Sequence, residues 1–270
     1  MIVVHDGRAH ADDFLAACVC RHRLGLPVFR SKFNESMLDD PSVWVLDQGR
    51  RFEPNLHNFD HHQIEEESCA FTMVLDHFYG KGYRDSWPAL RYVEIFDSHG
   101  PKKAAAFAGI PEESLDIIAS PVHSGVTSAF SKIEGEVPDF FLKVMEMIGS
   151  EICSRIESET ALFRSLDEGH RLFDHGTTKV LDVCSCAPPE GFHHEHMPTK
   201  QWSKARGHEP EVILTRDPRQ GGYRMVSINT DSIRFIPNEL AYFTHASGFL
   251  TAFREYDDHI KILECHVTKG

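Results

Sequence analysis

Within nine positions, His5 to Asp13 of "VVHDGRAHADDFLAACVC", the chain places two imidazoles and three carboxylates, and an apolar, helix-like stretch follows directly. The same residue types close other apolar runs. "VWVL" (43 to 46) ends at Asp47, "LHNF" leads into Asp60, His61 and His62, and "SWPALRYVEIFDSHG" (86 to 100) carries Asp97 near its end. Imidazole and carboxylate are the side chains that together hold divalent transition metals, and metals so held make a nucleophile of water at neutral pH.

The elements that must position these groups are short strands and helices in alternation. "MIVV" and "VWVL" are β-branched runs of strand length, with "LHNF" a weaker third. Between the first two, "DDFLAACVCRHRLG" repeats Phe14, Leu15, Cys18 and Leu24 at helical spacing until Gly25 and Pro27 stop it. Strand, helix and strand in this order predict a parallel sheet, whose ligands bind beyond the carboxyl ends of its strands. His5, Asp47 and Asp60 each follow such a run and are expected to meet there, with His10 and Asp12 arriving from the first strand-to-helix loop.

Singly, each of these residues has an ordinary explanation, since an aspartate after a strand is often a helix cap. Convergence changes that. Gathering Asp12, Asp47, Asp60 and Asp97 without cations costs several kcal/mol per desolvated charge, against a net stability of about 5–15. No lysine or arginine recurs at the strand ends whereas histidines do, so divalent metal is the expected counter-charge. His5, His10, His61, Asp12, Asp47 and Asp97 exceed what one tetrahedral ion needs and suit a pair about 3.5–4 Å apart, bridged by a carboxylate and a water.

Further along, "SCAFTMVLDHFYG" (68 to 80) and "SWPALRYVEIFDSHG" are helical. From Pro138 to about His170 a long periodic stretch sets Phe141, Val144, Met145, Ile148, Ile152 and Ile156 on one stripe. Beyond it, "TKVLDVCSC", "EVILTR" and "YRMVSIN" are strand-like and separated by Pro- and Gly-rich loops. The expected organisation is a catalytic domain over 1–137, a helical connector over 138–173 and a smaller α/β domain over 174–270.

Composition narrows the function. With 28 basic and 41 acidic residues the formal charge is −13, which disfavours a grip on long duplex nucleic acid through its phosphates. A short oligonucleotide or a small phosphate ester needs only local positive charge, which bound metal supplies. Seven cysteines, an odd number with no C-x-x-C pair, are expected to be buried thiols of a reduced protein. No charged leader precedes Ile2, and no apolar span reaches roughly 18 residues, so a cytoplasmic, membrane-free protein is expected.

"FDHHQ" resembles the signature of the DHH phosphoesterase superfamily. "VHDGRAHADD", "VLDQG", "FDHHQ", "EIFDSHG" and "FTHASGFLTAF", in that order, are similar to its Myg-type branch, the melanocyte-proliferating-gene family. The resemblance spans nearly the whole chain and implies an α/β fold, with a parallel-sheet DHH-type domain before a smaller α/β substrate domain. It also implies a metal-dependent hydrolase, specifically a 3'-to-5' exonuclease on RNA or short oligonucleotides. By position, it makes His5, His10 and Asp47 ligands of one ion, and Asp12, Asp47, His61 and Asp97 ligands of the other. His62 would contact the scissile phosphate, Asp60 would orient the histidine pair, and Arg234, His245 and Gly248 would bind substrate.

In one respect the sequence departs from most DHH enzymes. Their first motif runs H-x-x-x-D-x-D, whereas here it runs H-x-x-x-x-H-x-D, a replacement that Myg-type sequences share. An imidazole in place of a carboxylate favours manganese, cobalt, nickel or zinc over magnesium. Other readings carry less. "RAHADD" echoes the H-x-H-x-D-H motif of metallo-β-lactamases but has Arg8 and Asp13 where histidines belong. His193, His194 and His196 are expected to be a solvated cluster, and "RHRLGLPVFRSK" a solvated helix end and loop. The alternatives are a phosphohydrolase of a small compound such as pyrophosphate or a dinucleotide, and a non-catalytic protein stabilised by metal. A homodimer is compatible with either.

Overall fold

A computed structural model of the chain describes residues 1–187, 196–265 and 267–268. The chain divides into two compact units, Met1–Ile156 and Glu157–Gly270.

The first unit is built on β1 (Ile2–Val4), α1 (Ala11–Leu24), β2 (Val28–Arg30), α2 (Glu35–Leu38), β3 (Trp44–Leu46), β4 (Phe52–Glu53) and β5 (Asn58–Phe59). There follow α3 (Ala70–Tyr79), α4 (Pro88–His99), α5 (Pro101–Ala108), α6 (Ser114–Ile118), α7 (Pro121–Ser131) and β6 (Gly135–Glu136). The sheet order is β4-β5-β3-β1-β2-β6, with the four central strands parallel and both edges antiparallel. The expected parallel sheet is present; its two short antiparallel edges carry too few residues to show a period.

Register does the positioning. Val4 lies opposite both Arg30 and Leu46, and Leu46 lies opposite Phe59. The strands therefore end level, and His5, Asp47 and Asp60 leave the sheet side by side. Every residue of β1 and β3 is buried, as parallel strands covered on both faces require. Ile2, Val4, Trp44, Leu46 and Phe59 join the main core with α1 and α3. Val3 and Val45, on the opposite face by the two-residue period, pack with Leu38 and Val43.

Helix α1 begins where sequence places it and ends on Gly25, whose φ of 68° is the left-handed C-cap that glycine adopts without strain. It meets α8 (Asp139–Gly169) at very short range. A Cβ on Gly149 would stand 2.1 Å from the Cys18 carbonyl oxygen and 2.8 Å from His22 Cβ. Gly149→Ala is therefore expected to lower stability by about 3 kcal/mol through overpacking, despite the roughly 1 kcal/mol that alanine gains over glycine within a helix. Denaturant titration checks this, and a raised midpoint would show that the two helices can part freely.

Helix α8 contributes Phe141, Met145, Ile152 and Ile156 to the first core and Leu162, Phe163 and Leu166 to the second unit. Val144, expected on the same stripe, is instead 37% exposed. The second unit carries β7 (Arg171–His175), β8 (Thr178–Asp182), α9 (His196–Ala205), β9 (Val212–Arg216) and β10 (Tyr223–Ser227). It continues through β11 (Ile233–Arg234), β12 (Ala241–Thr244), β13 (Leu250–Phe253), α10 (Asp258–Glu264) and β14 (Val267–Thr268). Its main sheet runs β12-β13-β10-β9-β8-β7, antiparallel except for the β8–β9 pair that α9 connects. Val180, Val212, Leu214, Met225 and Phe253 fill one face, and Leu181, Ile213 and Trp202 pack together in a separate cluster. Among the described residues, no helix is long and apolar enough to cross a membrane.

Candidate metal centre

Beyond the level ends of β1, β3 and β5, eight residues singled out from the sequence occupy one neighbourhood. His5, Asp47 and Asp60 come from the strand ends, and His61 and His62 from the loop after β5. His10 and Asp12 come from the start of α1, and Asp97 from the last turn of α4. Three sets of potential ligand atoms lie within 4.8 Å of one another: His5, His10 and Asp47; Asp47, His61 and His62; and His10, Asp12 and Asp97.

Asp47 belongs to two of these sets and faces both ways. Its Oδ2 lies 3.5 Å from His5 Nε2, while its Oδ1 lies 3.3 Å from His61 Nε2. The backbone pays attention to this placement: Asp47 has a φ of 54°, a left-handed conformation uncommon outside glycine and asparagine, and its N–H donates to the Phe59 carbonyl at 3.0 Å. His61 Nε2 also approaches Asp97 Oδ2 at 2.9 Å, and His10 Nδ1 lies 3.9 Å from Asp97 Oδ1.

His5 is held as metal-binding histidines are. Its Nδ1 donates to the Asp6 carbonyl at 2.5 Å, leaving Nε2 to face Asp47 and, at 2.9 Å, Asp13 Oδ2. Asp13 itself caps α1, its Oδ1 accepting from the His10 N–H at 3.0 Å. Both oxygens of Asp12 are buried with no hydrogen-bond donor, and Oδ2 of Asp13 and Oδ1 of Asp47 are buried facing only the imidazoles of His5 and of His61 and His62. Such oxygens are costly to desolvate, and a divalent cation is the partner that would satisfy them. The residues present thus fit a metal.

Protonation shows the same excess of negative charge. The His5 imidazole is raised to about 9, chiefly by its contact with Asp13 and against its own burial. Burial works against charge on His61 as well, yet the carboxylates of Asp47 and Asp97 outweigh it and raise the group to about 10. The Asp12 carboxyl is pushed well above the usual carboxylate range by burial, then by Asp47 and Asp97.

Asp60 plays a different part. Fully buried, it accepts from the Arg50 N–H at 2.6 Å, the His62 N–H at 3.0 Å and the His62 ring Nδ1 at 2.7 Å. Burial alone would raise its carboxyl, but the bonds from His62 and Arg50 outweigh that and lower it. It orients His62 alone among the histidine pair, because His61 is held by Asp47 and Asp97. With Nδ1 committed, His62 presents Nε2 outward on a side chain that is 54% exposed.

Two residues of the site were not singled out from sequence. Asp13 is one; its signal is the N3 position of a capping box, where an acidic residue three after the cap is common for stability alone. Arg30 is the other. At 1% exposure its guanidinium bonds the carbonyls of His5, Gly7 and Phe130 and so pins the loop that carries His5. "RHRLGLPVFRSK" is therefore not simply solvated: Arg21 bonds the carbonyls of Gly25 and Leu26, and Arg23 lies over Phe78 and Tyr79.

In the second unit, Arg234, His245 and Gly248 form one local cluster. A Cβ on Gly248 would stand 2.3 Å from Arg234 Cγ, and Arg234 Nη2 donates to the Ala246 carbonyl at 3.2 Å. The Gly248 N–H donates to the His245 carbonyl at 2.7 Å, and the His245 ring pairs with Ser247 Oγ at 2.9 Å. Of the expected histidine cluster, His193 and His194 lie outside the described residues, and His196 begins α9. None of the seven cysteines forms a disulfide, and all but Cys265 are buried.

No curated protein matches the chain. Among solved structures, the pGpG-specific phosphodiesterase PggH of Vibrio cholerae matches at 10% identity over 97% of this chain and 96% of that one. The TM-score is 0.30, and a likeness at that score carries no argument about this chain. The family model MYG1_exonuc, described as "Uncharacterised protein family (UPF0160)", matches residues 1–74, a span that holds every residue of the centre except Asp97. The first 74 residues are thus similar to that family's model.

Proposed function

We propose that this chain is a metal-dependent phosphoesterase acting on RNA or short oligonucleotides from the 3' end. The observation that carries the metal assignment is the buried Asp47 carboxylate, which turns one oxygen toward each of two imidazoles while both oxygens of the neighbouring buried Asp12 lack donors. His5, His10 and Asp47 would hold one divalent ion, and Asp12, Asp47, His61 and Asp97 a second. Bound there, the ions supply Lewis acidity and an activated water. The mixed imidazole and carboxylate set suits manganese, with cobalt, nickel or zinc as alternatives.

The remaining chemistry falls to the chain's own groups. His62, aimed by Asp60, places Nε2 where it can donate a hydrogen bond to a phosphoryl oxygen or a proton to the leaving oxygen. Arg30 keeps the His5 loop from shifting. Arg234, with the Gly248 turn beside it, offers a cation for a phosphate or terminal nucleotide. The formal charge of −13 favours a short substrate over a long polyanion. Buried thiols outside any disulfide suit a reducing compartment, so the cytoplasm is the proposed location. The proposed division of labour is a catalytic domain over 1–137, a connector over 138–173 and a substrate domain over 174–270.

The test is incubation of purified protein plus manganese with a 3'-labelled and a 5'-labelled short RNA, a dinucleotide and pyrophosphate. Stepwise loss from the 3' end supports the reading. Phosphate release from pyrophosphate alone would replace it with the small-compound alternative. His62→Ala is expected to lower kcat by roughly 10²–10⁴ while metal content stays at the wild-type level. Loss of metal in that variant would make His62 a ligand instead.

A further inference from the structure

A cleft of about 320 Å³ opens in the first unit beside the loop that carries the histidine pair. It falls within the roughly 300–1,000 Å³ typical of small-ligand sites. Phe52, Ile64 and Met73 supply apolar walls, while Glu66, His77 and Lys81 are polar and exposed. The cleft and the metal centre share their framework. Phe52 of β4 pairs with Phe59 of β5, the residue before Asp60, and the Ile64 N–H donates to the His61 carbonyl at 2.8 Å.

Phe52 is 45% exposed, with its ring tilted against Phe59 at 6.3 Å. Partial burial of its ring, then the His57 imidazole nearby, lowers His77 below its ordinary value, and a neutral imidazole offers one donor and one acceptor. Arg84 also lines the cleft, but its guanidinium is committed to Asp76 and to both oxygens of Glu94, each at 2.9 Å. Among the described residues no lining guanidinium is left for a phosphate, and Glu66, Glu67 and Asp76 oppose an anion despite the ammonium of Lys81. An aromatic face, aliphatic walls and a rim that both donates and accepts instead match an uncharged planar heterocycle, apolar on its faces and polar on its edge.

We propose that this cleft receives a nucleobase of the substrate, stacked on Phe52, while the phosphodiester lies at the metal centre. This deepens the phosphoesterase reading and rests on it for the identity of the substrate. It also gives a reason to prefer a nucleotide over pyrophosphate, which has nothing to place in such a cleft.

The test follows the methyl resonances of Ile64 and Met73 in the full chain, prepared without paramagnetic manganese, as the four nucleoside 5'-monophosphates or ribose 5-phosphate are added. Nucleotides are expected to shift both methyls through their ring currents, and ribose 5-phosphate to leave them in place. Phe52→Ala is expected to weaken nucleotide binding about tenfold, in line with the cost of losing one base stack, and Phe52→Tyr to restore it. In turnover, Phe52→Ala is expected to lower the preference for a dinucleotide over its base-free analogue by a similar factor. Methyls unmoved by all four nucleotides, or moved equally by ribose 5-phosphate, overturn the proposal even if the enzyme cleaves RNA. Methyl shifts with no cleavage of any phosphodiester leave the cleft assigned and overturn the phosphoesterase reading.

Discussion

Replacing Asp47 with alanine is expected to lower kcat/KM by roughly a thousandfold or more, about 4 kcal/mol of transition-state stabilisation, and to empty the centre of metal. Among the described residues, no other carboxylate faces both imidazoles. One of its oxygens lies 3.5 Å from His5 Nε2 and the other 3.3 Å from His61 Nε2, so one truncation takes a ligand from both proposed ions. The fold is expected to survive. Alanine at a φ of 54° costs about 1–2 kcal/mol, but the change also removes a buried negative charge next to Asp12 and Asp13. Asp47→Asn separates the two effects, because asparagine tolerates the left-handed conformation while losing the charge. Elemental analysis, turnover and thermal denaturation read the three consequences. Full metal content and full activity in the alanine variant would remove Asp47 from the centre.

Stripping the metal with a chelator is expected to abolish activity and to make stability strongly pH-dependent. In metal-free protein the carboxylates are countered by protons on His5, raised to about 9, and on His61, raised to about 10. A histidine raised above its unfolded value of about 6.5 stabilises fully below that pH, and the contribution is lost as pH rises through the folded value. The metal-free melting temperature should therefore fall from about pH 6.5 toward pH 10. Metal replaces those protons, so binding near neutrality should release about two and strengthen with rising pH. The metal-loaded protein should accordingly hold its melting temperature where the metal-free protein loses it. Calorimetric titration of manganese in buffers of different ionisation enthalpy counts the protons. A value near zero would mean that these imidazoles do not compete with the ion.

Much of this arrangement is readable in the chain itself, because its causes are local. Apolar runs such as "MIVV" and "VWVL" are too short and too β-branched to be helices, and the polar residue after each must emerge at a strand end. The 3.6-residue period sets α1, α3, α4 and α8 close to their observed bounds, and glycine at position 25 marks the end of α1. From such signals come the parallel sheet and the expectation that His5, His10, Asp12, Asp47, Asp60, His61, His62 and Asp97 share one neighbourhood.

What sequence could not supply depends on contacts between distant segments. The level strand ends follow from register, which pairs Val4 with Leu46 and Leu46 with Phe59 and has no signature within any one strand. Asp13 reads as a helix cap until folding brings Oδ2 within 2.9 Å of His5. Arg30 reads as a basic surface residue until α7 closes over it and the Phe130 carbonyl accepts a hydrogen bond from its guanidinium. Gly149 reads as an ordinary helical glycine until the Cys18 carbonyl occupies the place of its missing side chain. Local pattern thus determined which residues could serve chemistry, and tertiary packing decided which atoms face one another, because close packing and charge burial are properties of pairs that the linear order does not contain.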